Sequence, residues 1–543
     1  MFGPELMQAF REFKTAWDPA WKMNPGKVIE PYRLDENLRL GANYAPWEPE
    51  THFQFPDDEG SLAHATLRCV GVGKCRRDAG GVMCPSFRAT REEGHSTRGR
   101  ARLLWEMAQG EVIRDGWRSE EVKQSLDLCL ACKGCKSDCP VAVDLATYKA
   151  EFLSHYYEGR IRPRSTYAFG NIDLWARLAS NVPGLVNLTT QLPFLRDIAK
   201  LAAGIPLQRS IPAFAPETFK QWFFRRPSNQ EWGASSNGGA PRRSGLARRG
   251  NSDHGRDAPP VLLWADTFNN YFLPATAQAA VNVLESAGFR VVVPRANLCC
   301  GRPLYDFGML DRAEALLLRV LDELSPEIEA GVPIVGLEPS CVAVFRDELC
   351  NLFPHDERAQ ALSRQTFLLS EFLETQAKHL AFPRFQRKAL LHGHCHHKSI
   401  MKMTAEEAVL RRLGIDFHAP APGCCGMAGS FGFEHDKYEI SAAIGEMELL
   451  PAVRRAPADW LIIADGFSCR EQIAQGSDRH ALHLAEVLQM ALAGDEKDLA
   501  PYPESVGVRK RNAEVEASMT RAALGLGALA AGGLLLWTMS RNR

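Results

Sequence analysis

Apolar side chains recur at helical spacing at the start of the chain, where Leu6, Phe10 and Phe13 share a face and Asn24-Pro25-Gly26 ends the pattern. A second helical pattern runs from Leu174 to Leu201 and is interrupted at Pro183 and Pro193. From residue 261 the signal changes to short apolar runs separated by helical stretches: Val261-Leu262-Leu263, Val291-Val292-Val293, Ile334-Val335-Gly336, Ala389-Leu390-Leu391 and Leu461-Ile462-Ile463. Such runs, alternating with helices, predict buried strands in α/β lobes. The region also repeats itself. Val261 aligns with Ala389, Cys299-Cys300-Gly301 with Cys424-Cys425-Gly426, and Ser340-Cys341 with Ser468-Cys469, at offsets of 128, 125 and 128 residues. Each copy reads as strand, helix, strand, Cys-Cys-Gly loop, helix, strand and a final cysteine, which puts the cysteines on strand-end loops.

A chain of 543 residues is too long for one core at roughly 150 residues per domain. Lys and Arg (64) balance Asp and Glu (65), leaving a formal charge of -1. That balance excludes the strong basic field a nucleic-acid binder needs. The amino terminus, MFGPELMQAFREFK, carries charges where a secretory signal needs an apolar stretch, so the expected location is cytoplasmic and the fifteen cysteines begin as thiols. In that setting, closely spaced cysteines read as metal ligands or redox groups rather than bridges.

The strongest motif is Cys129-x2-Cys132-x2-Cys135-x3-Cys139-Pro140, the spacing of a bacterial ferredoxin [4Fe-4S] run. Three thiolates on one tight turn reach three corners of a cube, and a fourth further on ligates a cluster from elsewhere. A zinc ribbon would need paired Cys-x2-Cys knuckles far apart, which the triplet disfavours. Upstream lies Cys69-x5-Cys75-x8-Cys84-Pro85. By the exchange seen in two-cluster ferredoxins, Cys84 completes the set of Cys129, Cys132 and Cys135, and Cys139 joins Cys69 and Cys75. That second group has three thiolates, so it takes a non-cysteine ligand, a three-iron cluster or none. Between them, His95, Arg98 and Arg100 read either as contacts to a flavin or anion or as a capped helix start with a solvated basic face.

The expected fold is therefore multidomain: an α-helical ferredoxin-type domain followed by two α/β Cys-Cys-Gly lobes related by the repeat. The boundaries are a short piece over 1–45, the ferredoxin-type domain over 46–225, a flexible Ser/Gly/Arg-rich linker over 226–260, the lobes over 261–380 and 381–495, and a tail over 496–543. Residues 522–539 run without charge for about 18 residues, the minimum for a membrane span, so they read as an anchor or as a docked apolar helix. Arg509, Lys510, Arg511 and Arg521 before them would keep the body on the cytoplasmic face.

Together the Cys69–Arg102 stretch, the ferredoxin run and the paired Cys-Cys-Gly lobes resemble the carboxy-terminal, iron–sulfur half of FAD-linked D-2-hydroxyacid dehydrogenases of the D-2-hydroxyglutarate and D-lactate type. They are also similar to the glycolate oxidase iron–sulfur subunit and to its counterpart in anaerobic glycerol-3-phosphate dehydrogenase. Residues 1 to about 33, with Trp17-Asp18-Pro19 and Met23-Asn24-Pro25-Gly26-Lys27-Val28, look like the last turns of that family's flavin domain. The main flavin-binding region is absent, so the resemblance implies FAD on a partner subunit or in a missing amino-terminal domain. It also implies cluster or metal sites in the lobes: Cys395, Cys424, Cys425 and Cys469 in the second, and Cys299, Cys300 and Cys341 in the first, where Thr267 stands in the place of a fourth cysteine. Both lobes depart from the similar heterodisulfide reductase, whose terminal Cys-x-x-Cys finds no second thiol at Phe345 or at Arg470 to Gln472. His392, His394, His396 and His397 surround Cys395 and would suit a Cys/His zinc site. Cys350 fits no pattern and reads as a core residue.

The implied function is electron relay from flavin to a quinone or other one-electron acceptor. No Ser-His-Asp or paired-carboxylate arrangement stands out, so no acid–base catalytic residue is assigned. Two other readings remain: a thiol/disulfide reductase centred on the lobes, and a zinc-stabilised scaffold without catalysis.

Overall fold

The computed structural model describes residues 2–36, 40, 44–227, 258–421, 423–494 and 501–541. Two compact units are distinguished, Met1–Glu48 and Pro49–Arg543. In the first, the apolar spacing forms the helix Pro4–Trp17. It ends before the expected stop at Asn24, because Asp18 precedes a proline and leaves the helical region. Asp18 instead accepts hydrogen bonds from the Lys22 and Met23 N–H groups and from Lys14 Nζ.

The second unit begins with short helices, among them Pro85–Thr90, Thr97–Gln109, Glu120–Asp127, Gly134–Asp138 and Leu145–Tyr156. More follow, including Ile172–Ala179, Pro183–Gln191 and Pro193–Ala203. Pro183 and Pro193 each open the next helix, where the missing N–H costs nothing.

Two small parallel sheets follow. In the first, β1 (Pro260–Trp264) lies between β2 (Arg290–Val292) and β3 (Ile334–Gly336), and β4 (Thr366–Leu368) pairs with β3. In the second, β5 (Lys388–Leu391) lies between β6 (Asp416–His418) and β7 (Leu461–Ile463). Registers such as Val261↔Val291, Leu263↔Val335 and Leu390↔Ile462 are parallel. Strand alternation decides what each face of β1 touches. Val261 and Leu263 share a core with Ala389, Leu391, Leu461 and Ile463 of the second sheet, whereas Leu262 and Trp264 pack with Phe53, Tyr305 and Phe345 toward the ferredoxin-type region.

Most of the expected linker, residues 228–257, lies outside the described residues. The tail forms one helix, Ser505–Arg541, whose start is held by the buried Arg479–Glu504 ion pair at 2.6 Å. It runs close against Pro183–Gln191: a Cβ on Gly184 would lie 2.4 Å from the Ser518 carbonyl oxygen. Among the described residues no helix is long and apolar enough to cross a membrane.

Candidate metal centre

The ferredoxin run wraps tightly. Ala131 and Lys133 take left-handed backbone angles (φ 48° and 57°) between the cysteines, a conformation that costs a non-glycine residue about 1 kcal/mol or more. Such strain persists where the surroundings over-determine it, and here both sides do. Asp138 accepts from the Val82 and Met83 N–H groups at 2.7 and 3.0 Å and from Arg77, which sews the Cys75–Cys84 loop onto the Cys135–Cys139 turn. Gly134 makes that approach possible, since a Cβ there would meet Val82 Cγ1 at 2.9 Å. Lys149 Nζ donates to the Cys129 carbonyl at 2.7 Å.

Cys84 lies at the start of Pro85–Thr90, its sulfur 2.8 Å from Thr97 Oγ1 and 3.0 Å from the Thr97 N–H. Burial pushes its thiol up to about 11; Arg100 opposes this, and Cys75 and Cys129 add to it. Burial likewise raises Cys135, with Asp144, Cys84 and Cys129 adding to the rise. The structure thus gathers Cys84, Cys129 and Cys135, and sets Cys69 and Cys75 both near Arg98. The basic stretch is a capped helix start, with Ser96 accepting from the Gly99 N–H. Its face is not wholly solvated, however. Arg100 is buried and donates to Ser86 Oγ and to the Ser125 carbonyl at 2.9 and 2.8 Å.

In the first lobe, Cys299 and Cys300 follow β2, and Cys341 lies in the helix Pro339–Ala343 after β3. The Cys300 and Cys341 sulfurs are 3.0 Å apart and unbridged. Thr267 Oγ1 sits 3.9 Å from Cys299 Sγ. In the second lobe all four candidates are buried. Hydrogen bonds from Cys424 and Cys469, with His392 beside it, hold Cys425 well below the ordinary thiol range, which makes it the natural thiolate of the set. Cys424 is raised by Cys395 and Cys425 and by burial.

The lobes and the ferredoxin loop meet at one cavity of about 320 Å³, lined by Cys132, by Cys299, Cys300 and Cys341, and by Cys395, Cys424 and Cys425. Cys132 is raised by burial and then by Cys395, Cys135 and Cys129, so it bridges the ferredoxin thiols and the second lobe. Arg302 from the first lobe and His396 Nε2 from the second both donate to the Ala131 carbonyl, at 3.4 and 3.0 Å. Much of the remaining wall is apolar, with Ile172, Ile205, Phe214, Phe268, Phe433 and Phe467 among its residues. Three carboxyls, Asp266, Asp306 and Glu338, also line it. Burial and Asp266 push Glu338 up to about 7, and burial raises Asp266.

The four histidines near Cys395 do not converge. His392 turns to Cys425, His396 to Ala131, and His394 Nδ1 accepts from the His396 N–H at 3.2 Å, while His397 Nε2 has no hydrogen-bond partner. A single Cys/His zinc site around Cys395 is therefore not assembled. Cys350 is half-buried in the helix Leu349–Leu352.

Sequence reasoning missed the charge hub behind the ferredoxin loop. Lys133 Nζ lies 2.8 Å from Asp144, 3.1 Å from Asp347 and 3.3 Å from Glu348, all buried, and Arg302 pairs with Glu348 at 2.5 Å. The available signal was a lysine inside a cysteine loop, which only its distant partners explain. The donor set fits iron–sulfur clusters: free buried thiols converge, and the buried cations Arg100, Lys133, Lys149 and Arg302 lie near them to offset thiolate charge.

Comparison with known proteins agrees. Residues 65–143 match the 4Fe-4S dicluster domain, and residues 267–346 and 390–473 each match the cysteine-rich domain. The chain is 26% identical over 527 residues to D-2-hydroxyglutarate dehydrogenase of Pantoea ananatis, covering 90% of this chain and 49% of that protein. It is 24% identical over 331 residues to a subunit of the anaerobic glycerol-3-phosphate dehydrogenase of Escherichia coli, covering 60% of this chain and 77% of that one. Lactate utilization protein A of Bacillus licheniformis is 28% identical over 243 residues, covering 42% and 98%. The chain spans about half the length of the D-2-hydroxyglutarate dehydrogenases it matches. A 4Fe-4S dicluster domain joined to two cysteine-rich domains, with these relatives, makes the chain similar to the iron–sulfur electron-transfer component of FAD-linked dehydrogenases.

Proposed function

We propose that this chain is the iron–sulfur arm of an FAD-linked 2-hydroxyacid dehydrogenase, passing electrons from a flavin on a partner domain or subunit to a quinone. The observation that carries this reading is the shared cavity: Cys132 of the ferredoxin loop and thiols of both lobes line one partly open, largely apolar space. Cys129, Cys132, Cys135 and Cys84 hold one cubane site, and Cys69, Cys75 and Cys139 supply a second group. In the lobes, Cys395, Cys424, Cys425 and Cys469 form a full set, and Cys299, Cys300 and Cys341 form a three-thiol set completed by a non-cysteine ligand, with Thr267 the neighbour in place. The common order of the sheets, in which β1 and β5 each lie between the next two strands, supports reading the lobes as copies.

When bound, the clusters supply one-electron transfer, which links hydride chemistry at a flavin to a separate acceptor. The chain's own residues fix spacing and exclude water. Arg302 and His396 hold the Ala131 peptide from opposite lobes, and the aromatic wall keeps the thiol sets dry. A lipid-soluble acceptor suits this wall. The helices Ile172–Ala179 and Pro193–Ala203 line the cavity with Ile172, Ala199 and Ala203, and expose Trp175, Phe194, Ile198 and Leu201 outward. An exposed apolar group of that kind supports membrane-face association.

The test is anaerobic isolation of the chain, with iron, acid-labile sulfide and electron paramagnetic resonance measured before and after reduction. Reducible clusters, and electron transfer to a short-chain quinone from a supplied flavoprotein partner, are expected. Protein free of iron and sulfide would overturn the reading.

A further inference from the structure

Behind the second lobe's thiols lies a cluster that the electron path does not use. His397 opens the π-helical turn His397–Met401 after β5, Glu406 lies in the helix Thr404–Leu413, and Asp465 lies just past the end of β7. One ligand atom of each lies within 4.8 Å of the other two. The residues are 1%, 1% and 6% exposed. His397 Nε2 and Glu406 Oε2 have no hydrogen-bond partner.

Orphaned, fully buried polar atoms are rare, because each forfeits its hydration without compensation. Two carboxyls side by side in a dry interior add to the cost: burial and Asp465 together raise Glu406 well above its ordinary range. Such a pair settles either by sharing a proton or by taking a cation. The imidazole argues for the cation, since one ring nitrogen lies within 4.8 Å of an oxygen of each acid and Nε2 has no hydrogen-bond partner, which completes a mixed N/O donor set. One Asp465 oxygen is already committed, accepting the Leu484 N–H at 2.9 Å, which leaves the other for a ligand role. The nearby His483 is spoken for on both ring nitrogens: Nε2 donates to the Leu337 carbonyl at 3.0 Å and Nδ1 accepts the Ala485 N–H at 2.9 Å.

We propose that His397, Glu406 and Asp465 form a buried zinc site that clamps the strand-end loops of the second lobe. One imidazole nitrogen and two carboxylate oxygens are a borderline donor set that zinc accepts readily, at about 2.0–2.2 Å per ligand. Closing from the present spacing draws the turn after β5 toward the loop after β7. Cys395 lies two residues before that turn and Cys469 four residues after Asp465, in the helix Phe467–Gly476, so the ion fixes the lobe's thiol set from behind. A π-helical turn at His397 fits this role, because such turns re-aim a side chain and recur at functional sites.

The test compares the full chain, isolated anaerobically and desalted, with the near-isosteric E406Q/D465N variant. Zinc and iron are counted by mass spectrometry, and melting is followed with and without added zinc chloride. The parent is expected to hold about one zinc per chain, the variant about tenfold less, with iron and labile sulfide equal in both. Zinc addition should raise the melting temperature of chelator-treated parent but not of the variant. A parent that holds no zinc and melts unchanged when zinc is added would overturn the site and leave a shared proton as the explanation. Equal zinc in parent and variant would overturn it as well.

Discussion

Replacing Lys133 by Met removes a positive charge that the interior is built around. Lys133 is 1% exposed and donates to Asp144 and Thr147, each at 2.8 Å, with Asp347 and Glu348 at 3.1 and 3.3 Å. Lys136 and Arg302 supply the remaining positive charge, so the three buried carboxylates face three cations, of which Arg302 also pairs with the half-buried Asp306 at 2.8 Å. Deleting one cation leaves a net negative charge in a dry site. Methionine fills most of the volume, so the loss is electrostatic rather than a cavity. Breaking a buried pair by removing one partner costs about 3–5 kcal/mol, whereas an exposed pair is worth about 1 kcal/mol at most. The assay is urea unfolding of K133M, D347N and the K133M/D347N pair, read at the first transition by circular dichroism. K133M should lose about 3 kcal/mol or more, and the double variant should recover a substantial part by restoring charge balance. The pH dependence follows with its sign. Burial alone would raise Asp144, but Lys133 and Lys136 outweigh it and hold its carboxyl far below the usual range. Its contribution is therefore complete above the unfolded value of about 4 and is lost only as pH falls through the depressed folded value. In K133M that loss should move toward neutral pH. A K133M cost below about 1 kcal/mol, with no recovery in the double variant, would refute the charge-hub argument.

Three further outcomes are expected. Gly426 has φ 87° and a Cβ there would lie 2.2 Å from the Ser441 carbonyl oxygen, whereas at Gly301, φ 78°, the nearest atoms lie at 3.6 Å. G301A should cost about 1–2 kcal/mol of left-handed strain, while G426A costs visibly more and lowers the melting temperature further. Burial holds His394 down to about 4. A base whose folded value is depressed is fully stabilising above its unfolded value of about 6.5 and loses that as pH falls, so about 1.4 kcal/mol should go between pH 8 and 5.5, and melting of H394N should flatten over that range. C132S should lower iron by about four atoms per chain, and C350S should leave it unchanged, both by colorimetric iron assay.

How much of this could be read from the sequence depended on whether a signal was local. The β1 run Val261-Leu262-Leu263 is apolar throughout because both faces of a parallel strand are covered, and it lies where the pattern put it. The offset between the copies aligned Thr267 with Cys395, and its hydroxyl lies 3.9 Å from Cys299 Sγ. By contrast, β4 continues directly from the helix Glu357–Gln365 with three residues and no punctuation, so no period marks it. The Asp18-Pro19 break was legible chemistry that a longer apolar pattern overrode. The hub was not legible at all: Lys136 and Asp347 are 211 residues apart, and nothing near either one indicates the partner. The cavity failed for the same reason, since its walls come from many separate stretches of chain between Leu130 and Ser468.

The Ala131 peptide shows why these long-range contacts matter to the site. Its carbonyl accepts from Arg302 of the first lobe and His396 of the second, while the next residue, Cys132, lines the cavity between them. Arg302 is in turn tied to Glu348, and Glu348 to Lys133, one residue beyond Cys132. A shift of either lobe would therefore strain a loop already held at two left-handed residues and would expose donors and acceptors that have no water to replace their partners. The cheapest state is the one in which all three parts keep their distance from Cys132. A path for electrons needs that constancy of spacing more than it needs any single catalytic group, and the chain secures it with hydrogen bonds and buried charge placed one residue to either side of a thiol.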